Sequence, residues 1–406
     1  MIRYVRKELY TKLAKRIADN SWLIQAIVGP RQIGKTTLVL QLCAAMKEHS
    51  IYKTADAPVI PEEKWIDECW AEARNLLKNK KRVLLVIDEI HKIEKWSNAV
   101  KRNIDYDNKN GNKIKVIILG SSSLLMQKGL TESLAGRFEL HKHHHWSYRE
   151  CSECFGLSLK QYLYFGGYPK ALTFYKDQER WSAYVRDSII ETVISKDVLL
   201  MSSISKPALL RQVFGLCASH PAQIVSYQKM IGQLNDAGNT TTVASYINVL
   251  SSAFMVTSLE RYSGSKIKQK GSIPKIVLFD NSIANVLSGR DYKAATQDTE
   301  HWGHLVENAV GSVLYSLCKE KGAEIFYWRE RDYEVDYIVK YGDKLIAIEV
   351  KSGKKIKDLS GLNIFKDRHE KAISLVISST KEHIENHKII DLEEYLLNPE
   401  IVFNIR

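Results

Sequence analysis

Gly29, four intervening residues, then Gly34, Lys35 and Thr36 stand together in the run GPRQIGKTT. These residue types at this spacing suit one task, holding a row of phosphates. Glycines let the backbone curl until successive N–H groups and the start of the next helix face phosphate oxygens. Lys35 then supplies a point charge for the outer phosphates, and the Thr36 hydroxyl is an oxygen ligand for Mg2+. Gly29, Pro30, Arg31, Gln32, Ile33, Gly34, Lys35, Thr36 and Thr37 are expected to bind ATP with its Mg2+. The plain alternative is a chance glycine turn ahead of a helix. An apolar run before the motif and a helical pattern after it argue against chance.

Three further groups fit the same chemistry. The apolar run RVLLVI ends in Asp88-Glu89. Asp88 would hold Mg2+, and Glu89 would polarise the attacking water as general base. The run KVIILG ends in three serines, of which Ser121 or Ser122 could sense the outer phosphate, although a serine there is also a routine helix cap. Arg137, after the glycine of SLAGRF, is a candidate arginine finger reaching a neighbouring subunit's ATP. A structural salt bridge explains an arginine equally well.

A second constellation lies near the other end of the sequence. Glu307 falls in a helical pattern, Asp336 in the run EVDYIVK, and Glu349 and Lys351 in KLIAIEVK. Alternation along a strand puts Glu349 and Lys351 on one face. Glu307, Asp336 and Glu349 could converge on Mg2+ that activates water and clamps a phosphodiester, with Lys351 stabilising the developing charge. Solvated strand charges, or a nuclease fold retained only for binding, are the alternatives.

Elements must position these groups. LIQAIV (23–28), RVLLVI (82–87) and KVIILG (115–120) are apolar throughout, as buried parallel strands are, and they alternate with helical patterns. This is an α/β sheet covered on both faces. Residues from about 151 are helical, interrupted by the turn FGGYP (165–169). The stretch 206–262 reads as three short helices and a strand, the outline of a winged helix-turn-helix with 240–253 as its third helix, capped by Asn239 or Thr240. Lys266, Lys268 and Lys270 make the following loop a basic wing for phosphate contacts. From Trp302 a helix and further strands form a second α/β unit, with Lys354, Lys355 and Lys357 just past its acidic strand.

The 406 residues carry a formal charge of +12, which favours polyanionic partners, nucleic acid first. Hydrophobic content of 45% excludes wholesale disorder, and six cysteines do not make a disulfide framework. His141, His143, His144 and His145 with Cys151 and Cys154 suggest zinc only weakly, because no second matched pair completes the ligand set. The N-terminal MIRYVRKELYTKLAKR lacks an apolar core of the signal-peptide kind, and the uncharged stretch 237–259 carries too many Asn, Thr and Ser for a bilayer. A cytoplasmic protein without a membrane partner is expected.

GPRQIGKTT, LLVIDEIHKIEKW, IILGSSSLLM, SLAGRF and FGGYP together resemble the prokaryotic AAA-type ATPases that carry a C-terminal PD-(D/E)XK nuclease-like domain. The resemblance spans essentially the whole chain. It implies an AAA+-type P-loop core over 1–150, a helical lid over 151–204, a winged helix over 205–280 and a restriction-endonuclease-like α/β domain over 281–406. HKHHHWSY departs from the apolar, proline-containing stretch the resemblance leads one to expect after Arg137. The expected activity is ATP- and Mg2+-dependent, in a homo-oligomer that touches the DNA backbone and couples hydrolysis to DNA processing. The rival readings are a nucleotide-dependent switch and a DNA-binding regulator with an inert nuclease fold.

Overall fold

The computed structural model describes residues 4–46, 49–121, 123–198, 204, 206–234, 239–263, 272–353, 355–356, 358–380 and 384–405. They fall into two compact units, one within residues 1–144 and one within 145–406.

The first unit is built on five strands: β1 (Ile24–Val28), β2 (Ser50–Thr54), β3 (Val83–Asp88), β4 (Ile114–Gly120) and β5 (Phe138–Lys142). All pairings are parallel, and the order across the sheet is β2-β3-β4-β1-β5. The apolar runs are continuous because both faces are covered. Val83, Leu85 and Ile87 pack with Ile66, Trp70 and Val100 of the helices Glu63–Leu77 and Trp96–Asn110. Leu84 and Val86 point the other way, onto Leu13 and Ile17 of Lys7–Ala18 and Leu38, Val39 and Leu42 of Lys35–Met46. Each such aliphatic side chain contributes about 1.5–3 kcal/mol on burial.

Two of these strands escape the apolar-run reading. SIYKT (β2) and FELHK (β5) lie at the sheet's edges and are mostly half-buried, so neither needs a continuous hydrophobic run. The chain after Arg137, whose path the odd HKHHH left unsettled, runs beside β1: Ile24 pairs with Phe138 and Val28 with Lys142.

In the second unit, helices Tyr148–Phe155 and Leu159–Phe165 each begin with a capping box, Ser147 with Glu150 and Ser158 with Gln161. Helices Pro207–Ser219, Tyr227–Ile231 and Thr240–Ser252 precede an antiparallel pair, β6 (Val256–Leu259) and β7 (Lys275–Leu278). Asn239 caps the third helix by accepting from the Thr242 N–H at 2.7 Å. Lys266, Lys268 and Lys270 lie outside the described residues, as do Lys354 and Lys357.

After the helix Thr299–Lys321 comes a mixed sheet of β8 (Glu324–Glu330), β9 (Tyr333–Tyr341), β10 (Lys344–Lys351), β11 (Ile373–Ser378) and β12 (Lys388–Asp391), in the order β12-β11-β10-β9-β8. β8, β9 and β10 pair antiparallel, whereas β10, β11 and β12 pair parallel. One apolar cluster joins Leu163, Val277, Val310, Ile348 and Tyr395, so the stretches divided near 204 and 280 in the sequence share a core. Among the described residues no helix is long and apolar enough to cross a membrane.

Candidate functional site

Strand β1 delivers Gly29 to the carboxyl edge of the sheet, where the loop turns into the helix Lys35–Met46. The His143 N–H donates to the Val28 carbonyl at 2.7 Å, holding the end of β5 against the loop. A Cβ on Gly29 would stand 2.0 Å from the His143 carbonyl oxygen, so only glycine fits. Gly34 has φ +93°, open to glycine at no steric cost, and Gln32 also takes a positive φ of 61°. Lys35 is buried, and its Nζ donates to the Gly29 and Pro30 carbonyls at 2.8 and 2.6 Å. Thr36 and Thr37 are exposed on the first helical turn.

The ends of three strands meet beside this loop. Asp88 Oδ2 accepts from the Thr36 hydroxyl at 2.7 Å and from the Tyr52 hydroxyl at 2.7 Å, while its Oδ1 accepts the Glu89 N–H at 2.8 Å. Burial, then the neighbouring Asp88, pushes the Tyr52 phenol well above its ordinary range, so it stays a donor. Glu89 sits in the left-handed region at φ 54°, a conformation that costs a non-glycine residue about 1–3 kcal/mol and concentrates at functional sites. Its Oε2 is 3.1 Å from the Ser121 hydroxyl and 3.4 Å from His91 Nδ1. Ser121 reaches it because β4 lies between β1 and β3. Ser122 lies outside the described residues.

Thr36 and Asp88 offer a hydroxyl and a carboxylate oxygen in direct contact, a donor set of the hard type that Mg2+ takes. Tyr52 was invisible to the sequence reading because its strand was.

Arg137 does not join this group. Its carbonyl accepts the Ile24 N–H at 2.9 Å, placing it at the amino end of β1, about 13 Å of strand from the loop at a rise of ~3.3 Å per residue. Its guanidinium forms a two-pronged pair with Asp105, Nε to Oδ1 at 2.8 Å and Nη2 to Oδ2 at 3.2 Å. The structure therefore supplies the salt-bridge reading of Arg137 within its own chain.

The histidine run is structural in its contacts. His141 Nε2 is 2.7 Å from Gln25 Oε1, and the His144 carbonyl accepts from Arg6. Burial lowers the imidazole pKa of His141 and His144 to about 4, and pushes that of His143 well below its ordinary value. Among the described residues no group of three or more His, Cys, Asp or Glu is arranged to hold a metal.

The C-terminal constellation assembles differently from the expectation. Lys351 Nζ does lie on the face of Glu349, 2.8 Å from Oε1. Asp336 Oδ2 accepts the Val350 N–H at 2.8 Å. The position assigned to Mg2+ among Glu307, Asp336 and Glu349 is, however, shared by an ammonium the sequence reading missed. Lys275, the first residue of β7, is wholly buried, with Nζ 2.5 Å from Glu307 Oε1, 3.2 Å from Glu334 Oε1 and 3.4 Å from Asp336 Oδ1. Burial, then the Asp336 charge, pushes the Glu349 carboxyl up to about 8, with Lys351 pulling the other way. Burial also raises Glu307 well above the carboxylate range. The donors present thus fit a charge cluster better than a divalent cation.

Residues 21–152 match a family described as AAA domain. Residues 156–294 and 302–395 match two families, each described as a domain of unknown function (DUF8612 and DUF4143). An uncharacterized protein of Mycobacterium tuberculosis, Rv2008c, is 26% identical over 327 residues, covering 80% of this chain and 69% of that protein. The uncharacterized protein MJ1544 of Methanocaldococcus jannaschii is 24% identical over 395 residues, covering 90% of this chain and 81% of its own length. Among solved structures, AMPPCP-bound DnaA from Aquifex aeolicus shares 18% identity at a TM-score of 0.33, covering 62% of this chain and 89% of its own. The parallel sheet, its phosphate loop and the AAA domain match agree on an AAA-type P-loop fold for the first unit.

Proposed function

We propose that the chain is an ATP- and Mg2+-dependent ATPase of the AAA type that acts on DNA as a cytoplasmic homo-oligomer. The observation that carries the first part is the meeting of Thr36, Asp88, Glu89 and Ser121 beside the Gly29–Lys35 loop. The loop N–H groups and the helix start would take the phosphates, and Lys35 would exchange the Gly29 and Pro30 carbonyls for phosphate oxygens. Thr36 and Asp88 would hold Mg2+, which when bound neutralises charge on the outer phosphates. Glu89 accepts a proton from water as the water oxygen bonds to the γ-phosphorus; the bond to the β,γ-bridging oxygen breaks, and its electron pair leaves with ADP. Ser121, on the same Glu89 oxygen, links the carboxylate to the end of β4.

Arg137 could serve only a neighbour's nucleotide, because its own loop is at the far end of β1, and it would have to leave Asp105. DNA contact rests on the +12 charge and on Lys266, Lys268 and Lys270 between β6 and β7. Three helices followed by an antiparallel pair support a winged-helix reading of 205–280. The helix Thr240–Ser252 carries no Lys or Arg, which favours backbone contact over base reading. For 281–406, the restriction-endonuclease-like reading divides into a cleaving and an inert form; Lys275 among the carboxylates favours the inert one.

The test is ATP turnover by the full chain with single-stranded, duplex and four-way DNA. Stimulation that Lys35→Ala abolishes is expected. A Lys35→Ala protein that still binds ATP at the wild-type level rejects the phosphate loop, and turnover indifferent to every DNA rejects the DNA part.

A further inference from the structure

We infer that the acidic cluster of the C-terminal sheet uses the Lys275 ammonium as its resident cation, in the place where a divalent metal would otherwise bind. The inference rests on the non-cleaving reading of that domain and names what makes it non-cleaving.

Two elements bring carboxylates to one point. The helix Thr299–Lys321 contributes Glu307, and β9 contributes Glu334 and Asp336. An ammonium has three N–H donors, and Lys275 has these three carboxylates plus the Asp336 carbonyl, 3.3 Å away, within reach. Its backbone is fastened on both sides. The Val225 N–H donates to the Pro274 carbonyl, the Ile276 N–H to Gln223, and Lys275 to Leu278 pair with β6. That pairing fixes the Cα of Lys275 beside the acids.

Four of the cluster's oxygens already have donors. Lys275 holds Glu307 Oε1 and Asp336 Oδ1, the Val350 N–H holds Asp336 Oδ2, and Lys351 holds Glu349 Oε1. Glu349 Oε2 has no hydrogen-bond partner among the described residues. Mg2+ keeps several waters and takes only one or two carboxylates, so what excludes it is the positive charge already seated among these oxygens. An ammonium on the same Asp336 oxygen would repel the incoming ion. Lys275 lies 61 residues before Asp336, on a strand of the preceding segment, which is how it escaped the motif.

The experiment titrates Mn2+ alone into the nucleotide-free full chain, following free ion by electron paramagnetic resonance, for wild type, Glu349→Gln, Lys275→Met and Lys275→Met/Glu349→Gln. Wild type and Glu349→Gln should bind Mn2+ alike, whereas Lys275→Met should gain one equivalent that the double variant loses. The inference is overturned if wild type binds an equivalent that Glu349→Gln removes, or if folded Lys275→Met gains none. Should Lys275→Met fail to fold, the wild-type and Glu349→Gln pair still decides. A wild-type Mn2+ equivalent that Glu349→Gln removes, without DNA cleavage, sinks this inference alone; cleavage lost in Asp336→Ala sinks the non-cleaving reading with it.

Discussion

Two acidic sites, one closing a strand and one gathered from a helix and two strands, are held in opposite ways. At the phosphate loop, Asp88 and Glu89 are met chiefly by hydroxyls and a backbone N–H, from Thr36, Tyr52, Ser121 and the Glu89 amide, with the His91 ring 3.4 Å from Glu89. Neutral donors orient a carboxylate and leave its charge available for a cation. In the C-terminal cluster, Glu307, Glu334, Asp336 and Glu349 are met by the ammonium groups of Lys275 and Lys351, with the Val350 N–H on the second Asp336 oxygen. Those cations consume the charge. The presence of carboxylates therefore says less about a metal than the charge of what already touches them.

The contrast can be broken first at the hydrolytic side. Glu89→Gln keeps the shape but not the base, so turnover should fall on the order of 10²–10⁴-fold while ATP binding persists. Steady-state turnover beside nucleotide binding checks this, and an unchanged rate would place the base elsewhere.

Lys275→Met should destabilise by about 3–5 kcal/mol, because it strands buried carboxylates without their counter-ion. Lys275→Met/Glu307→Gln should recover part of the loss, as denaturant midpoints will show. A single variant as stable as wild type would mean the cluster does not depend on its lysine.

Gly29→Ala sharpens the first site by forcing a methyl onto the His143 carbonyl 2.0 Å away. A cost of about 1–3 kcal/mol is expected, with weaker ATP binding, if the loop must shift. A thermal melt and an ATP titration that both match wild type would contradict the packing.

The last comparison concerns pH. The Glu349 carboxyl ordinarily titrates at 4.5 and is raised to about 8 in the fold. The folded state thus binds a proton that the unfolded state has lost, and this contribution to stability, complete below 4.5, disappears as pH rises through about 8. Glu349→Gln should flatten the decline in stability across that window; an identical slope in both proteins would refute the shift.

The phosphate loop was legible because its chemistry is local: Gly29 to Thr36 are contiguous, and Asp88-Glu89 closes a strand that is apolar on both faces. The shared face of Glu349 and Lys351 followed from strand alternation alone. What stayed hidden belongs to edges and to long-range pairing. β2 and β5 are half-buried, so they carry no apolar signature, and Tyr52 was lost with β2. A lysine opening the apolar run KIVL reads as a solvated strand end until the fold buries it against Glu307. Arg137 shows the converse: its place in SLAGRF suggested reach, but Asp105 and the amino end of β1 hold it.

Because Leu163, Val277, Val310 and Tyr395 belong to one apolar cluster, the gap between the matches ending at 294 and beginning at 302 is no seam for dissection. A gene shortened there would leave Val277 and its neighbours facing water on one fragment and Val310 on the other. Each piece would invite aggregation, so separate roles for these segments are better assigned by point substitutions in the intact chain.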